Sequence, residues 1–210
     1  MEDCGEEKVP VGFDRGVDFE DIKNRLLEKL TKLHDKLFVD GETKILTLRK
    51  ITYIVIALLQ LRNGSRISEA VKAFIKFIND GINRRVTVKI SKTDAIKVTK
   101  NGEKKRSKAR FREMMWPKWI PSEIFDLLSD NKEVDKLIKS NRLKKRVLDY
   151  LLINFKCNTH SLRYAFINYM IYVKKRPIND VAKFVGHANV SQMVAYTQIK
   201  NSNQIFELDI

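Results

Sequence analysis

The sequence predicts an α+β protein, mainly helical with a small antiparallel sheet or hairpin. Three observations carry that expectation. Apolar residues recur at three- and four-residue spacing toward both ends of the 210-residue chain, a middle stretch switches to alternation, and Asn101-Gly102 marks a tight reversal inside that stretch.

Residues 1–17 mix charge with Gly and Pro10 and show little periodicity, which reads as an N-terminal tail ahead of one domain covering 18–210. Phe19, Ile22, Leu26, Leu30, Leu33 and Leu37 then form the apolar stripe of an amphipathic helix. Gly41 interrupts it. Leu46 to Leu61 forms a second, more apolar helix that ends near Gly64, a residue suited to the left-handed conformation after a helix. Ser65 is the expected cap of a third helix starting at Arg66, with Glu69 in the first turn, where the helix dipole favours a carboxylate.

Beyond residue 72 the texture changes. Phe74, Ile75, Phe77 and Ile78 are followed by Val86, Val88 and Ile90 alternating with polar or basic residues, the period of a strand, so a small sheet is expected here. Pairing outward from Asn101-Gly102 sets 86–100 against 103–117 as a heavily basic ribbon. Pro117 and Pro121 close it, and helical spacing returns through Ile124, Leu128, Val134, Leu137, Leu143, Val147 and Leu151. Thr159 is the expected cap of a helix whose apolar stripe is Leu162, Phe166, Tyr169, Met170 and Val173. Pro177 opens another through Val181 and Phe184, Gly186 ends it, and Ser191 caps a last short helix carrying Tyr196. No internal repeat, low-complexity block or Pro/Gly/Ser linker divides the chain.

The chain carries 41 Lys+Arg against 26 Asp+Glu, a formal charge of +15, with 43% apolar residues. That apolar content supports a real core, and the basic excess points to a polyanionic partner, with nucleic acid the first candidate. Ile51 to Leu61, the longest apolar stretch, is about half of the ~20 residues that span a bilayer and contains Thr52 and Gln60, so it predicts a buried helix and no membrane association. The opening MEDCGEEK has neither the apolar core of a secretory signal nor the basic character of a transit peptide, so an intracellular protein of cytoplasm or nucleoid is expected. Cys4 and Cys157 stand too far apart to suggest a disulfide framework. Cys157 and His160 form a C-x-x-H pair, but no other Cys or His stands at zinc-ligand spacing, so no metal site is expected. No GxxxxGK[ST] loop occurs, which argues against an ATP requirement, and no cofactor is expected.

Two of the three histidines lie in the last quarter of the chain: His160, three before Arg163, and His187, nine before Tyr196. His160 and Arg163 are expected as neighbours in a first helical turn, where the helix N-terminus favours phosphate. These residue types suit metal-free phosphodiester exchange. Two guanidiniums fork onto non-bridging oxygens and stabilise the charge that grows in a pentacoordinate transition state. Imidazoles add hydrogen bonds. A phenol with a pKa of about 10 becomes a nucleophile when a cationic site favours phenolate or a base takes its proton. The leaving alkoxide needs an acid, for which a lysine suits.

The segments NGSRISEA (63–70), THSLRYAF (159–166) and VGHANVSQMVAYTQ (185–198) resemble, in that order, the motifs of the tyrosine recombinase, or phage integrase, catalytic domain. In that family an Arg is followed by a Glu three later, then come a His-x-x-Arg pair, a Gly-His at a helix end and a Tyr nine residues after that His. The resemblance spans roughly Asp18 to Ile199 and implies the tyrosine recombinase catalytic-domain fold. It implies that Arg66 and Arg163 clamp the scissile phosphate, His160 serves as acid/base and phosphate ligand, His187 hydrogen-bonds that phosphate, and Tyr196 forms a 3′-phosphotyrosine link. The family's hairpin lysine, which protonates the leaving 5′-oxygen, would be Lys92 after the strand VTVKIS, with Lys108 before ARFREMMWP as the alternative.

The implied function is site-specific recombination or integration of a mobile element, by cutting and rejoining double-stranded DNA as a dimer or tetramer assembled on it. The tail 201–210, with Ile205, Phe206, Leu208 and Ile210, would dock on a neighbouring protomer. Two rival expectations stand beside it: DNA relaxation like that of a type IB topoisomerase, and an idle DNA-binding accessory protein. The family usually carries a helical DNA-clamping domain before the catalytic one, and the short stretch before Phe19 leads to the expectation of a fragment or a minimal form.

Overall fold

A helix with no polar face must be wrapped by the rest of the chain, and the 19-residue helix α2 (Ile45–Asn63) is of that kind, with Ile51, Ile54, Val55, Ile56, Leu58 and Leu59 all fully buried. The computed structural model describes residues 17–37, 45–83, 85–91, 96–98, 104–106 and 108–187, with only the backbone described at 96–98 and 104–106. Around α2 pack α1 (Phe19–Leu37), α3 (Ile67–Asp80), α5 (Lys132–Ile138), α6 (Leu143–Phe155) and α7 (Thr159–Asn168). The stripe read from the sequence is the buried face of α1, all six positions of which are in the core. Helix α4 (Ser122–Ser129) buries Ile124 and Leu128, and α8 (Ile178–Val185) buries Val181, Ala182 and Val185. One contiguous apolar cluster runs from Phe19 to Val185. Among the described residues no helix is long and apolar enough to cross a membrane.

Among the described residues four short strands make two antiparallel pairs, one nested inside the other in sequence; the expected turn at Asn101-Gly102 lies outside the described residues. The outer pair joins β1 (Val86–Lys89) to β4 (Phe111–Met114), with Val88 opposite Arg112. The inner pair joins β2 (Ile96–Val98) to β3 (Lys104–Arg106), with Ile96 opposite Arg106. The arm between β1 and β2 (90–95) is longer than the return arm (107–110), so the register shifts between the pairs. Lys92 falls in that longer arm, outside the described residues.

The structure corrects four sequence expectations. Phe74 to Ile78 belong to α3, because these apolar positions continue the helical spacing of Ala70 and Val71. The third helix is capped at Arg66, in extended conformation, and its first helical residue is Ile67; Ser65 is buried one position earlier. Asn158 caps α7 in place of Thr159, its Oδ1 accepting from the N–H groups of His160 (2.7 Å) and Ser161 (3.0 Å). Val173 is exposed, because α7 continues as a π-helical turn (Tyr169–Val173) whose wider hydrogen bonding, Lys174 N–H to Tyr169 O at 2.9 Å, rotates the end of the stripe out of the core.

Candidate functional site

The site is organised by the turn that ends α2. Gly64 takes φ +55, the left-handed region, and a Cβ there would stand 2.2 Å from Cδ1 of Phe166, so α7 lies directly against this turn. Buried Gln60 ties the same two elements, its Nε2 donating to the carbonyls of Ser65 (3.1 Å) and Thr159 (2.6 Å). Arg163, 2% exposed, closes the junction. Its Nη1 donates to the Gly64 carbonyl at 2.7 Å and its Nη2 to the Val185 carbonyl at 2.9 Å. Segments far apart in the chain, 63–70, 159–166 and 185–187, therefore meet at one guanidinium.

A carboxylate organises the second half. Glu69 is fully buried and accepts from the backbone N–H of Arg66 (3.2 Å), from Arg66 Nη1 (3.2 Å) and from the backbone N–H of Ser91 (3.0 Å). Arg112 lies beside it, Nη1 at 3.6 Å from Glu69 Oε2, while Nη2 donates to the Asn63 carbonyl. The Arg112 guanidinium also sits 5.1 Å from the Phe184 ring centroid on α8. Burial pulls the pKa of Arg112 down to about 10, Glu69 opposes that shift, and Arg163 and Arg66 add to it. Arg112 is still cationic at neutral pH; it shares Glu69 with Arg66 and feels the charge of Arg163 nearby.

Asn63 fixes the hairpin to α2 by a reciprocal pair with Met115, Nδ2 donating to its carbonyl at 2.9 Å and Oδ1 accepting its N–H at 3.0 Å. At the other side Gly186 ends α8 with φ +74, and a Cβ there would lie 3.0 Å from Ile90 Cδ1. The backbone N–H of His187 donates to Ala182 O at 2.9 Å, so this half-buried residue is fixed at the helix end beside the strand leading to Ser91.

Of the residues singled out in the sequence, Arg66, Arg163 and His187 are drawn together by these contacts. His160 is the exposed residue of the first turn of α7, its ring 6.4 Å from that of Tyr164, so it and Arg163 share a helix while only Arg163 is buried. Lys108 is exposed, and Lys92 and Tyr196 lie outside the described residues. Sequence reasoning missed Gln60, Asn63 and Arg112. Arg112 carried a usable signal, because it shares the inward phase of β4 with Met114. Gln60 and Asn63 carried another, as polar residues in an otherwise apolar helix. No group of three or more His, Cys, Asp or Glu that could hold a metal occurs among the described residues. What the cluster offers is three guanidiniums against one carboxylate, with Arg66 partly exposed: a surface suited to a phosphate.

Similar proteins occur in viruses and in an archaeon. An uncharacterized protein of Methanocaldococcus jannaschii is 32% identical over 212 residues, covering 93% of this chain and 87% of that protein. A protein of Acidianus two-tailed virus named "Putative integrase ORF241" is 28% identical over 204 residues, covering 96% of this chain and 70% of that protein. A Sputnik virophage protein named "Putative integrase V10" is 45% identical over 215 residues, covering 99% of this chain and 95% of that protein. No family model matches the chain, and no solved structure does. Identity at that level across nearly the whole of both proteins places the chain in one family with the virophage protein: it belongs to the integrases.

Proposed function

We propose that this chain is a tyrosine recombinase that integrates or excises mobile DNA. The observation that carries the reading is the convergence of the three motif segments at Arg163, whose two amino groups reach Gly64 and Val185. Arg66 and Arg163 hold the scissile phosphate and offset its growing charge, with His160 and His187 adding hydrogen bonds. His160 takes the proton of Tyr196 Oη as that oxygen attacks phosphorus, the bond to the 5′-oxygen breaks, and Lys92 gives that oxygen its proton. The product is a 3′-phosphotyrosine ester and a free 5′-hydroxyl. Attack by a 5′-hydroxyl reverses the step, so rejoining needs no external energy source. Lys92 is preferred over Lys108 because Glu69 holds the Ser91 N–H, fixing the chain one residue before Lys92. The partner is double-stranded DNA, consistent with the +15 charge, and the protein acts as a dimer or tetramer on it, from a single catalytic domain over 18–210.

A duplex nicked near the cleavage position traps the covalent intermediate. Wild-type protein is expected to form an adduct whose modified peptide contains Tyr196, and Tyr196→Phe to form none. Absence of an adduct across a random-sequence pool rejects the reading in favour of a binding-only protein. Relaxation of plasmid with no paired site moves it to topoisomerase-like action.

A further inference from the structure

Away from the arginine cluster, a cavity of about 600 Å³ opens between the start of α1, the segment 115–119 and the π-helical turn. Its floor is aromatic: Phe19 stacks on Tyr169 at 4.2 Å between centroids and on Trp119 at 5.9 Å. Its rim is cationic, with Lys23, Arg62, Lys118, Lys174 and Arg176 against the single acid Glu20, which already pairs with Lys23. Arg62 is half-buried and burial lowers its pKa, with no carboxylate beside it to offset the cost. The indole N–H groups of Trp116 and Trp119 are both buried without an acceptor among the described residues, Trp116 being 7% exposed. The wall itself is built with care: the π-helical turn sets Tyr169 and Met170 on the cavity, Lys175 takes the left-handed φ of 51, and the Arg176 N–H bonds back to Met170 O at 2.9 Å.

We propose that this cavity receives one unpaired nucleotide of a DNA strand, its base against the aromatic floor and its flanking phosphates on the cationic rim. A ligand here must present a planar apolar body and negative charge together, and a nucleotide does so. The volume lies within the range of small-ligand pockets of about 300–1,000 Å³, so it admits a single base and excludes a duplex. Guanidiniums at Arg62 and Arg176 suit the fork geometry of phosphate, and the lysines from 115–119 and the end of the π-helical turn supply point charges along a backbone. The site goes beyond the cleavage chemistry and does not depend on it.

Trp116 and Trp119 are the only two tryptophans of the chain and both line the cavity, so tryptophan emission reports on it. The full-length protein is titrated with pentathymidylate, with an abasic strand of the same length, and with a peptide of residues 203–210. Pentathymidylate is expected to shift the emission saturably and to bind about tenfold tighter than the abasic strand. Arg62→Ala is expected to weaken it about tenfold, and the exposed Lys118→Ala severalfold, which keeps the test decisive if the first variant folds poorly. No emission change, equal binding of the abasic strand, or displacement of pentathymidylate by the acidic, apolar peptide at lower concentration overturns the proposal, the last assigning the cavity to the chain's own tail. A failed covalent trap at Tyr196 leaves these outcomes unchanged.

Discussion

Arg163 on α7 donates to the carbonyl of Gly64 at 2.7 Å, across 99 residues of sequence. The same guanidinium reaches Val185 at the end of α8, so one side chain sets the spacing between the turn that presents Arg66 and the helix end that presents His187. Because both acceptors are backbone carbonyls, geometry and not just charge decides what can stand at position 163.

Arg163→Lys is therefore expected to behave as a non-conservative change. A lysine ammonium does not span two carbonyls held by separate elements, so one is left buried and unpaired at a cost of about 2–3 kcal/mol. Urea denaturation reads the loss, and covalent trapping on nicked DNA is expected to fall by about 100-fold or more.

Gly64→Ala combines strain at positive φ with a collision against Phe166. The expected destabilisation is about 3 kcal/mol, from roughly 1–2 of left-handed strain and 1–3 of overpacking. Adding Phe166→Leu should recover the second part but not the first, and paired thermal melts of the single and double variants separate the two.

Arg112→Leu removes a cation from buried Glu69 and leaves the Asn63 carbonyl without its donor. A loss of about 3 kcal/mol is expected, since breaking a buried pair strands the remaining charge. Arg112→Lys keeps the charge but not the fork and should recover less than half. Chemical denaturation of the three proteins at one pH checks the order.

Tyr150 on α6 is buried, and its hydroxyl has no hydrogen-bond partner among the described residues. Burial pushes its pKa up to about 12. The unfolded phenol loses its proton near pH 10 while the folded one keeps it, so the native state binds more protons and stability falls as pH rises from about 10 toward 12. Tyr150→Phe is expected to flatten that part of the pH–stability curve and to raise stability at neutral pH by up to about 1 kcal/mol. A clear loss on that substitution refutes the assignment of an unsatisfied hydroxyl.

The net charge of +15 sets the salt dependence of DNA binding. Several phosphates neutralised together release several counterions, so affinity for duplex DNA should drop by about a hundredfold or more between about 50 and 200 mM salt. A flat response in fluorescence anisotropy would contradict it.

Elements whose burial is one-sided or total were legible in the sequence. The stripe of α1, the largely apolar α2 and the Pro177–Gly186 limits of α8 each follow from a single period or a single special residue. Phe74 to Ile78 satisfied two periods at once, and only their continuity with Ile67 to Val71 decides between them. The caps at Arg66 and Asn158 were displaced by one residue because the partner that completes each, Glu69 and Ser161, lies inside the helix, where local spacing does not reveal it. Arg66, His160, Arg163 and His187 were visible as motifs, but for Gln60, Asn63 and Arg112, which hold the described part of the cluster together, local pattern signals only burial, and their partners lie far away in the chain.

Glu69 gives the cluster an indivisible character. One carboxylate grips the guanidinium of Arg66 and the main chain at Ser91, so that arginine and the hairpin are a single mechanical part. Any replacement at 69 will disturb both at once, and dissecting them genetically requires changing the donors instead: the Arg66 side chain on one side, the Ser91 amide, by proline, on the other.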